Sequence, residues 1–348
     1  MRFTRLATIA AIATVAALAL TGCVAGEGAA QPTATATKGA ALGAGGWSAT
    51  TLNIDYATYN PLSLIVKKEG YLESAFGGAV TVNWVKSAGS AAANAALLAG
   101  AIDVGSTAGS AALLARSNGS PIKTVDIYAQ PDWAAIIVPK TSTISSVKDL
   151  AGKTVAAQKG TDPYFFLLQS LTKFKVPLSS VTIENLPHAN GKAALENGSV
   201  DAWSGLDPLL TTSVLVAGSK NIYDNPSFNS YGFLNATESF LQKSPDVAQA
   251  VVDAYEKARA YAIAHPADVA IILAAEAGIP LNVAQASLKR TDLAISPVPG
   301  AAQTKVLKVI GPIFVESGDV AAQSDVDSAL TSLLEPKYAK AADPSEIK

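Results

Sequence analysis

One short pattern is used twice, and it constrains the fold more than any other feature of the chain. The first copy is A-A-L-L-A-G-A-I-D-V-G, Ala95 to Gly105, and the second is A-A-L-E-N-G-S-V-D-A-W, Ala193 to Trp203. Ala-Ala-Leu, Gly, a β-branched residue and Asp recur at the same relative positions, 98 residues apart. Each copy reads as a helix closed by Gly100 or Gly198, because a left-handed C-terminal position favours a residue without a Cβ. A short buried strand follows, then a loop of small polar residues, then another helix. Two such units predict two lobes of one α/β fold, with the loops after the strands facing a shared cleft. Asp103 and Asp201, inside the twins, are read as ties from a strand start to neighbouring backbone.

The flanking sequence extends this alternation. Thr51 to Ala57 and Val80 to Lys86 have strand character, and Pro61 to Glu69 reads as a helix closed by Gly70. Lys123 to Ala129 and Ala134 to Pro139 are further strands. Strands and helices alternating at this length argue for mostly parallel sheets. Near Tyr231 to Ala236 the chain is expected to return to the first lobe, and the remainder is helical, with Ser244-Pro245-Asp246 as a strong helix start. The layout predicts a first lobe from 50–132 and 234–348, a second lobe from 133–233, and a two-strand hinge where the chain crosses near Gln130 to Ile136 and Tyr231 to Asn235. Closure of two such lobes around a ligand is the expected motion.

The amino-terminal segment is of a different kind. Arg2 and Arg5 precede an uncharged apolar run, Leu6 to Leu20, too short for a comfortable membrane span. Leu20-Thr21-Gly22-Cys23 then matches the bacterial lipobox, so residues 1–22 read as a lipoprotein signal peptide and Cys23 as the acylated new terminus. Acylation would hold the protein on the extracytoplasmic face of the cell membrane. Residues 23–49 are dominated by Ala, Gly, Thr and Ser and read as a flexible tether.

Several function classes lack the residues they need. Formal charge is −2, and no aromatic-interleaved basic run exists, which argues against nucleic acid. Cys23 is the only cysteine and His188 and His265 the only histidines, so a disulfide framework, a cysteine zinc site or a histidine relay has little material. No catalytic residues, metal or cofactor are expected. His188 is read as a surface or rim residue.

Four loops place small or hydroxyl residues before helices, where free N–H groups attract oxyanions. They contain Ser87 and Ser90; Ser106 and Thr107; Gly160, Thr161 and Asp162; and Trp203 and Asp207. Tyr59, Tyr164, Trp203 and Tyr231, with Trp133, are candidates for an apolar wall. Asp162 and Asp207 suit helix caps, with Pro163 at a first helical position. If they line the pocket instead, they favour an ammonium group and hence a zwitterion. Beyond the leader, only Arg116, Arg259 and Arg290 remain, all on predicted helices, so a guanidinium clamp is not evident.

The blocks Ile137-Val138-Pro139-Lys140, Ser146 to Lys159 (S-S-V-K-D-L-A-G-K-T-V-A-A-Q-K), Gly160 to Leu168, Ala193 to Asp201 and Asp207-Pro208 carry a resemblance. With them the chain resembles solute-binding lipoproteins of ABC importers, most closely the aliphatic sulfonate, taurine and nitrate group. The resemblance implies a two-lobe type II periplasmic-binding-protein fold, with C-terminal helices on the first lobe. It also implies a monomer that binds a small solute and passes it to a permease and ATPase. It places ligand contacts at Ser87, Ser90, Ser106, Thr107, Gly160, Thr161 and Asp162, faced by Trp203 and Asp207. A sulfonate or taurine is the first-choice ligand; nitrate or a nitrogenous solute such as a pyrimidine is the alternative. Asp162-Pro163 and Leu206 depart from the group's pattern. Fold-related thiamine-pyrimidine synthases need histidine and cysteine chemistry that this chain lacks.

Overall fold

The computed structural model describes residues 46–348; the expected signal peptide, Cys23 and the expected tether up to residue 45 lie outside the described residues. Residues 47–49 belong to the folded body and not to the expected tether. Trp47, a large side chain in that stretch, packs edge-on against Phe76 with ring centroids 4.8 Å apart. The Ser48 amide donates to the Asp246 carboxylate at 2.9 Å, which fastens the segment to the start of a long helix.

The body contains two sheets. The first begins with β1 (Thr51–Tyr56), followed by α1 (Pro61–Glu69), α2 (Tyr71–Phe76), β2 (Thr81–Lys86), α3 (Ser90–Leu98), β3 (Val104–Ala108), α4 (Gly109–Ser117) and β4 (Ile122–Pro131). The chain then crosses to the second sheet: β5 (Ala134–Val138), β6 (Thr154–Ala156), α5 (Asp162–Lys173), β7 (Thr182–Glu184), α6 (His188–Glu196), β8 (Ala202–Leu206), α7 (Leu209–Thr212) and β9 (Lys220–Asp224). It returns as β10 (Gly232–Thr237) and α8 (Glu238–Lys243). The remainder is α9 (Pro245–Ala264), α10 (Pro266–Ala277), α11 (Leu281–Lys289), the short β11 (Thr291–Asp292), α12 (Ala301–Glu316), α13 (Gln323–Ser332) and α14 (Lys337–Ala341).

Strand order shows why the sequence repeats itself. The first sheet runs β11-β4-β10-β3-β1-β2 and the second β7-β6-β8-β5-β9. In each, a strand from across the crossing (β10 or β5) inserts antiparallel beside β3 or β8; the pairs on the β1 and β6 side are parallel and those on the β4 and β9 side antiparallel, so both sheets are mixed and not mostly parallel as the alternation predicts. The twins occupy equivalent places, as α3–β3 and α6–β8.

Their hydrogen bonds match one for one. The Ala101 amide donates to Ala96 at 2.8 Å and the Ser199 amide to Ala194 at 2.8 Å, the six-to-one bond of a helix end that requires a left-handed residue before it. Gly100 and Gly198 supply it at φ 67° and 78°. The Asp103 amide donates to the Asn53 carbonyl at 2.7 Å, and the Asp201 amide to Thr154 at 2.9 Å. Each carboxylate accepts in return from the amide of the same partner, Asn53 at 2.8 Å and Thr154 at 2.9 Å. The repeated Asp thus fixes the register of β3 on β1 and of β8 on β6.

Both cores are apolar and closed. Trp203 fills the smaller one, under α6, with Ala135, Ile137, Leu195, Val200 and Leu210. Between the sheets, Phe165 of α5 meets Phe314 of α12 at 4.5 Å, so the C-terminal helices touch both halves.

A Cβ at Gly100 or Gly198 would meet nothing within 4 Å, so alanine there costs only backbone strain. Gly100→Ala and Gly198→Ala should each destabilise by about 1–2 kcal/mol, measured by urea unfolding. A cost near zero at either site would remove the matched helix ends as a constraint on the fold.

Candidate functional site

The loops after β1, β2, β3, β6 and β8 converge between the sheets, and the polar side chains there are almost all buried. Asp162 is the centre of the contact. The sequence places it as an N-cap; in the structure Thr161 caps α5, Asp162 is the first helical residue, and its side chain turns away from its own helix. One carboxylate oxygen accepts the hydroxyls of Ser110 and Ser230, both at 2.6 Å. The other accepts the Trp133 indole N–H at 2.7 Å and the Ser230 amide at 2.8 Å. Ser110 stands on α4 of the first half, Asp162 on α5 of the second, and Trp133 and Ser230 on the two crossings. Burial raises the Asp162 pKa against the pull of these donors. With all four hydrogen-bond positions filled, Asp162 joins the halves and has no open site for a ligand amine.

A second buried carboxylate was not singled out from the sequence. Asp55, on β1, accepts the Ser106 amide at 2.8 Å and the Ser106 hydroxyl at 2.9 Å through one oxygen. Its other oxygen is buried and, among the described residues, no hydrogen bond of good geometry reaches it, the Ser87 hydroxyl standing close by. Burial lifts its pKa from 3.8 to about 7, although Ser87 and Ser106 pull the other way. The available signal was an acid within the strand run L-N-I-D-Y, where an apolar or neutral residue is the usual occupant.

The other expected site residues fall into groups. Tyr59 donates its hydroxyl to the Ser106 carbonyl at 2.9 Å and packs edge-on to Trp133 at 6.2 Å. Ser90 Oγ accepts the Ala108 amide at 2.9 Å, which leaves its own hydrogen free. Thr107 accepts from Asn235 at 2.8 Å and donates to the Ala108 carbonyl. Thr161 donates to the Gln158 carbonyl at 2.6 Å, and Gly160 faces Leu114 of α4. Tyr231 contributes a carbonyl that receives the Gly109 amide at 2.8 Å.

Two residues lie elsewhere than the aromatic-wall reading puts them, while Asp207 serves the first turn of α7, as the cap reading expects. Trp203 is fully buried in the smaller core; a Cβ on Gly191 would stand 2.8 Å from its indole nitrogen, so the ring is packed against α6 and is no exposed wall. Tyr164 turns toward Asp319 beyond α12, and burial pushes its hydroxyl pKa up to about 12. Asp207 accepts from the Thr211 amide and hydroxyl at 2.9 and 2.6 Å and pairs with Arg290 at 3.1 Å.

Arg290 gathers three acids: Asp207, Asp224 at 2.9 Å and Asp132 at 3.5 Å. Burial works against its charge, but the three carboxylates outweigh that and raise its pKa. Arg259 is spent on the carbonyls of Ile127, Tyr128 and Leu293, and Arg116 on Glu238 at 2.7 Å. Each of the three arginines is held by acids or carbonyls, although Arg290 Nη2 is buried without a hydrogen bond among the described residues. The opening bounded by Tyr59, Trp133 and Asp207 is about 20 Å³, room for one water, so a solute enters there only after the halves part. A larger groove of about 290 Å³ lies between Leu171, Pro177 and Ile313, away from these polar groups.

His188 contradicts the rim reading outright. It is 3% exposed, the first residue of α6, and both ring nitrogens lack a partner among the described residues. The exposed neighbours Pro187, Ala189 and Asn190 gave no hint of this, because the burying surface comes from the other half of the molecule. Burial lowers its pKa from 6.5 to about 4.

Asp55 and His188 drive stability in opposite directions with pH. Asp55, with its folded pKa raised, contributes stability at low pH that is lost as pH rises through about 7. His188, with its folded pKa depressed, contributes stability above about 6.5 that is lost as pH falls toward about 4. Relative to the parent, His188→Gln should therefore gain about 3 kcal/mol between about pH 7 and pH 4. Asp55→Asn should gain about 4 kcal/mol in the reverse sense, between about pH 4 and pH 8. Urea unfolding across pH checks both; curves parallel to the parent's would contradict these assignments.

Comparison with known proteins agrees with this architecture. Residues 64–269, more than half of the chain, match the family described as NMT1/THI5 like. A protein of Escherichia coli (strain K12) named for binding aliphatic sulfonates is 29% identical over 220 residues, 62% of this chain and 69% of its own length. A counterpart from Bacillus subtilis (strain 168) is 28% identical over 233 residues, 66% of this chain and 70% of its own. The alkanesulfonate-binding protein SsuA of Xanthomonas axonopodis pv. citri, solved with bound MOPS, superposes with a TM-score of 0.74 at 25% identity, over 81% of this chain and 98% of that one. The nitrate-binding protein NrtA of Synechocystis PCC 6803, at 12% identity and a TM-score of 0.69 over 87% and 92% of the two chains, shares the fold. With its paired sheets, twin helix–strand units and buried polar cleft, the chain is a member of the NMT1/THI5-like family with the periplasmic-binding-protein fold.

Proposed function

We propose that the protein is the extracytoplasmic solute-binding component of an ABC importer and that its solute is a short aminoalkanesulfonate, with taurine as the model. It acts by binding: the cleft supplies hydrogen-bond donors, one buried carboxylate oxygen and aromatic cover. Acylated Cys23 would tether it to the membrane, and the closed form, as a monomer, would present both lobes to a permease driven by its ATPase.

The observation that carries the ligand class is the pairing of opposite functions on one loop system. Ser87 and Ser90 lead into α3, whose first turn offers N–H groups to an oxyanion. Asp55, beside Ser87, holds a buried oxygen that no hydrogen bond of good geometry reaches among the described residues, placed for an ammonium group. A free guanidinium would favour a plain anion, and each of the three is engaged elsewhere. The sulfonate named in the relatives supports the acidic end of this reading, and Asp55 adds the basic end.

Taurine should raise the melting temperature through binding linkage, and more than ethanesulfonate of equal chain length. Asp55→Asn should weaken taurine by about tenfold or more while leaving ethanesulfonate nearly unchanged. Calorimetric titration of both ligands checks this. Equal losses for both, or tight binding of a pyrimidine with no response to either sulfonate, would overturn the ligand class.

A further inference from the structure

His188 is the one histidine inside the molecule, and it stands at the joint between the halves. Its backbone amide donates to the Gln158 side-chain oxygen at 3.2 Å, which fixes the start of α6 to the β6–α5 loop. Its ring reaches across to the first half. A Cβ built on Gly89 would lie 3.0 Å from His188 Cδ2 and 3.1 Å from Nε2, so the imidazole covers the N-cap of α3. Only glycine leaves it that room, and Gly89 adopts φ 142°.

The helix end beneath the ring is open. Ala92 and Ala93 donate to the Gly89 carbonyl at 3.0 and 3.2 Å. The Ser90 and Ala91 amides have no such partner among the described residues, and the Ser90 hydroxyl hydrogen is free. Unsatisfied N–H donors of a nine-residue helix therefore face a buried imidazole whose two nitrogens are also unsatisfied. Polar groups without partners on both sides of one contact, the ring over Gly89 and the helix end that follows it, describe a place for an oxyanion.

We propose that His188 and the first turn of α3 form the oxyanion subsite of the cleft, and that anion binding is coupled to protonation of His188. This rests on the solute-binding function proposed above and adds a residue and a proton to it. In the open form the ring is solvated and titrates as an ordinary imidazole. Closure without an anion buries it bare, which demands the neutral form. Closure on a sulfonate pairs the imidazolium with a negative charge, and the proton is retained. The proton comes from solvent and goes to a ring nitrogen; no bond of the ligand changes. Acidification therefore disfavours the empty closed state and favours the loaded one.

The charged groups around this point are accounted for. On the α3 side, Lys86 pairs with Glu276 at 2.7 Å, and Asp55 reaches the loop through Ser87. On the β6–α5 loop, Lys159 is exposed and lies 5.9 Å from the Tyr164 ring. On α6 itself, Lys192 pairs with Glu196 at 2.8 Å, and on the turn into β8 Asp201 is held by the Thr154 amide. Asp55, and Asp132 at the crossing, whose pKa burial raises to about 6, titrate in the same window in both proteins, so the comparison of parent with His188→Gln isolates the ring.

The test is calorimetry of ethanesulfonate, which stays anionic throughout, in two buffers of different ionisation enthalpy. For the parent, affinity should tighten about tenfold between about pH 7.5 and pH 6 and level off below, with net proton uptake on binding. His188→Gln should bind with a flatter pH profile and reduced proton uptake. In NMR spectra of the parent, the His188 ring should shift to its protonated form on adding ligand while His265 does not. Binding with the same pH profile in parent and His188→Gln, or no shift of the His188 ring, would overturn the proposal and leave the solute-binding function standing. Failure of every sulfonate and of nitrate to bind at any pH would overturn both.

Discussion

The Asp162 carboxylate is the contact on which the arrangement of the two halves depends. A buried acid is costly unless its oxygens are fully hydrogen-bonded. Here the four donors come from one helix of the first half and from both crossings. The penalty for burying the carboxylate is therefore met only when the halves are together. Arg290 adds a second bridge on the hinge side, from the end of α11 to the ends of β8 and β9. Both bridges are polar, and both can be re-solvated when the halves part. The joint also holds apolar contacts, such as Phe165 on Phe314, whose separation exposes apolar surface to water.

A cleft closed by polar contacts suits a protein whose work is capture and release. The bridging groups do not need to touch the solute; they set how much of the binding free energy closure consumes or returns. In the proposed function the solute-facing groups are a smaller set around Asp55, Ser87, Ser90 and His188. Their mixed chemistry, with a carboxylate oxygen, neutral donors and an imidazole, is what would select a molecule carrying both signs of charge.

The fold was legible because the chain spells its repeating unit twice. Gly100 and Gly198, Asp103 and Asp201 are backbone requirements, and backbone requirements appear as residue identities at fixed spacing. The cleft was legible only as loops. Ser87, Ser90, Ser106 and Thr161 do lie at the joint, since small hydroxyl residues before helices mark strand ends. What each side chain contacts was not readable, because the partners come from distant sequence. Asp162 looked like a local cap and bonds to residues 52 and 68 positions away. Trp203 looked like cleft wall, but two glycines, one on another element, let it lie in the core. His188 sat among exposed neighbours, and its burial is supplied by Gly89, ninety-nine residues earlier.

The central claim is that a solute closes the two halves on one another. It is tested most directly by single-molecule energy transfer between dyes at Leu98→Cys on the first half and Val216→Cys on the second, both exposed positions, in a Cys23→Ser background. Taurine at saturating concentration should convert a broad distribution of distances into a single narrow, shorter one. Saturation by taurine with the distribution unchanged would contradict the account.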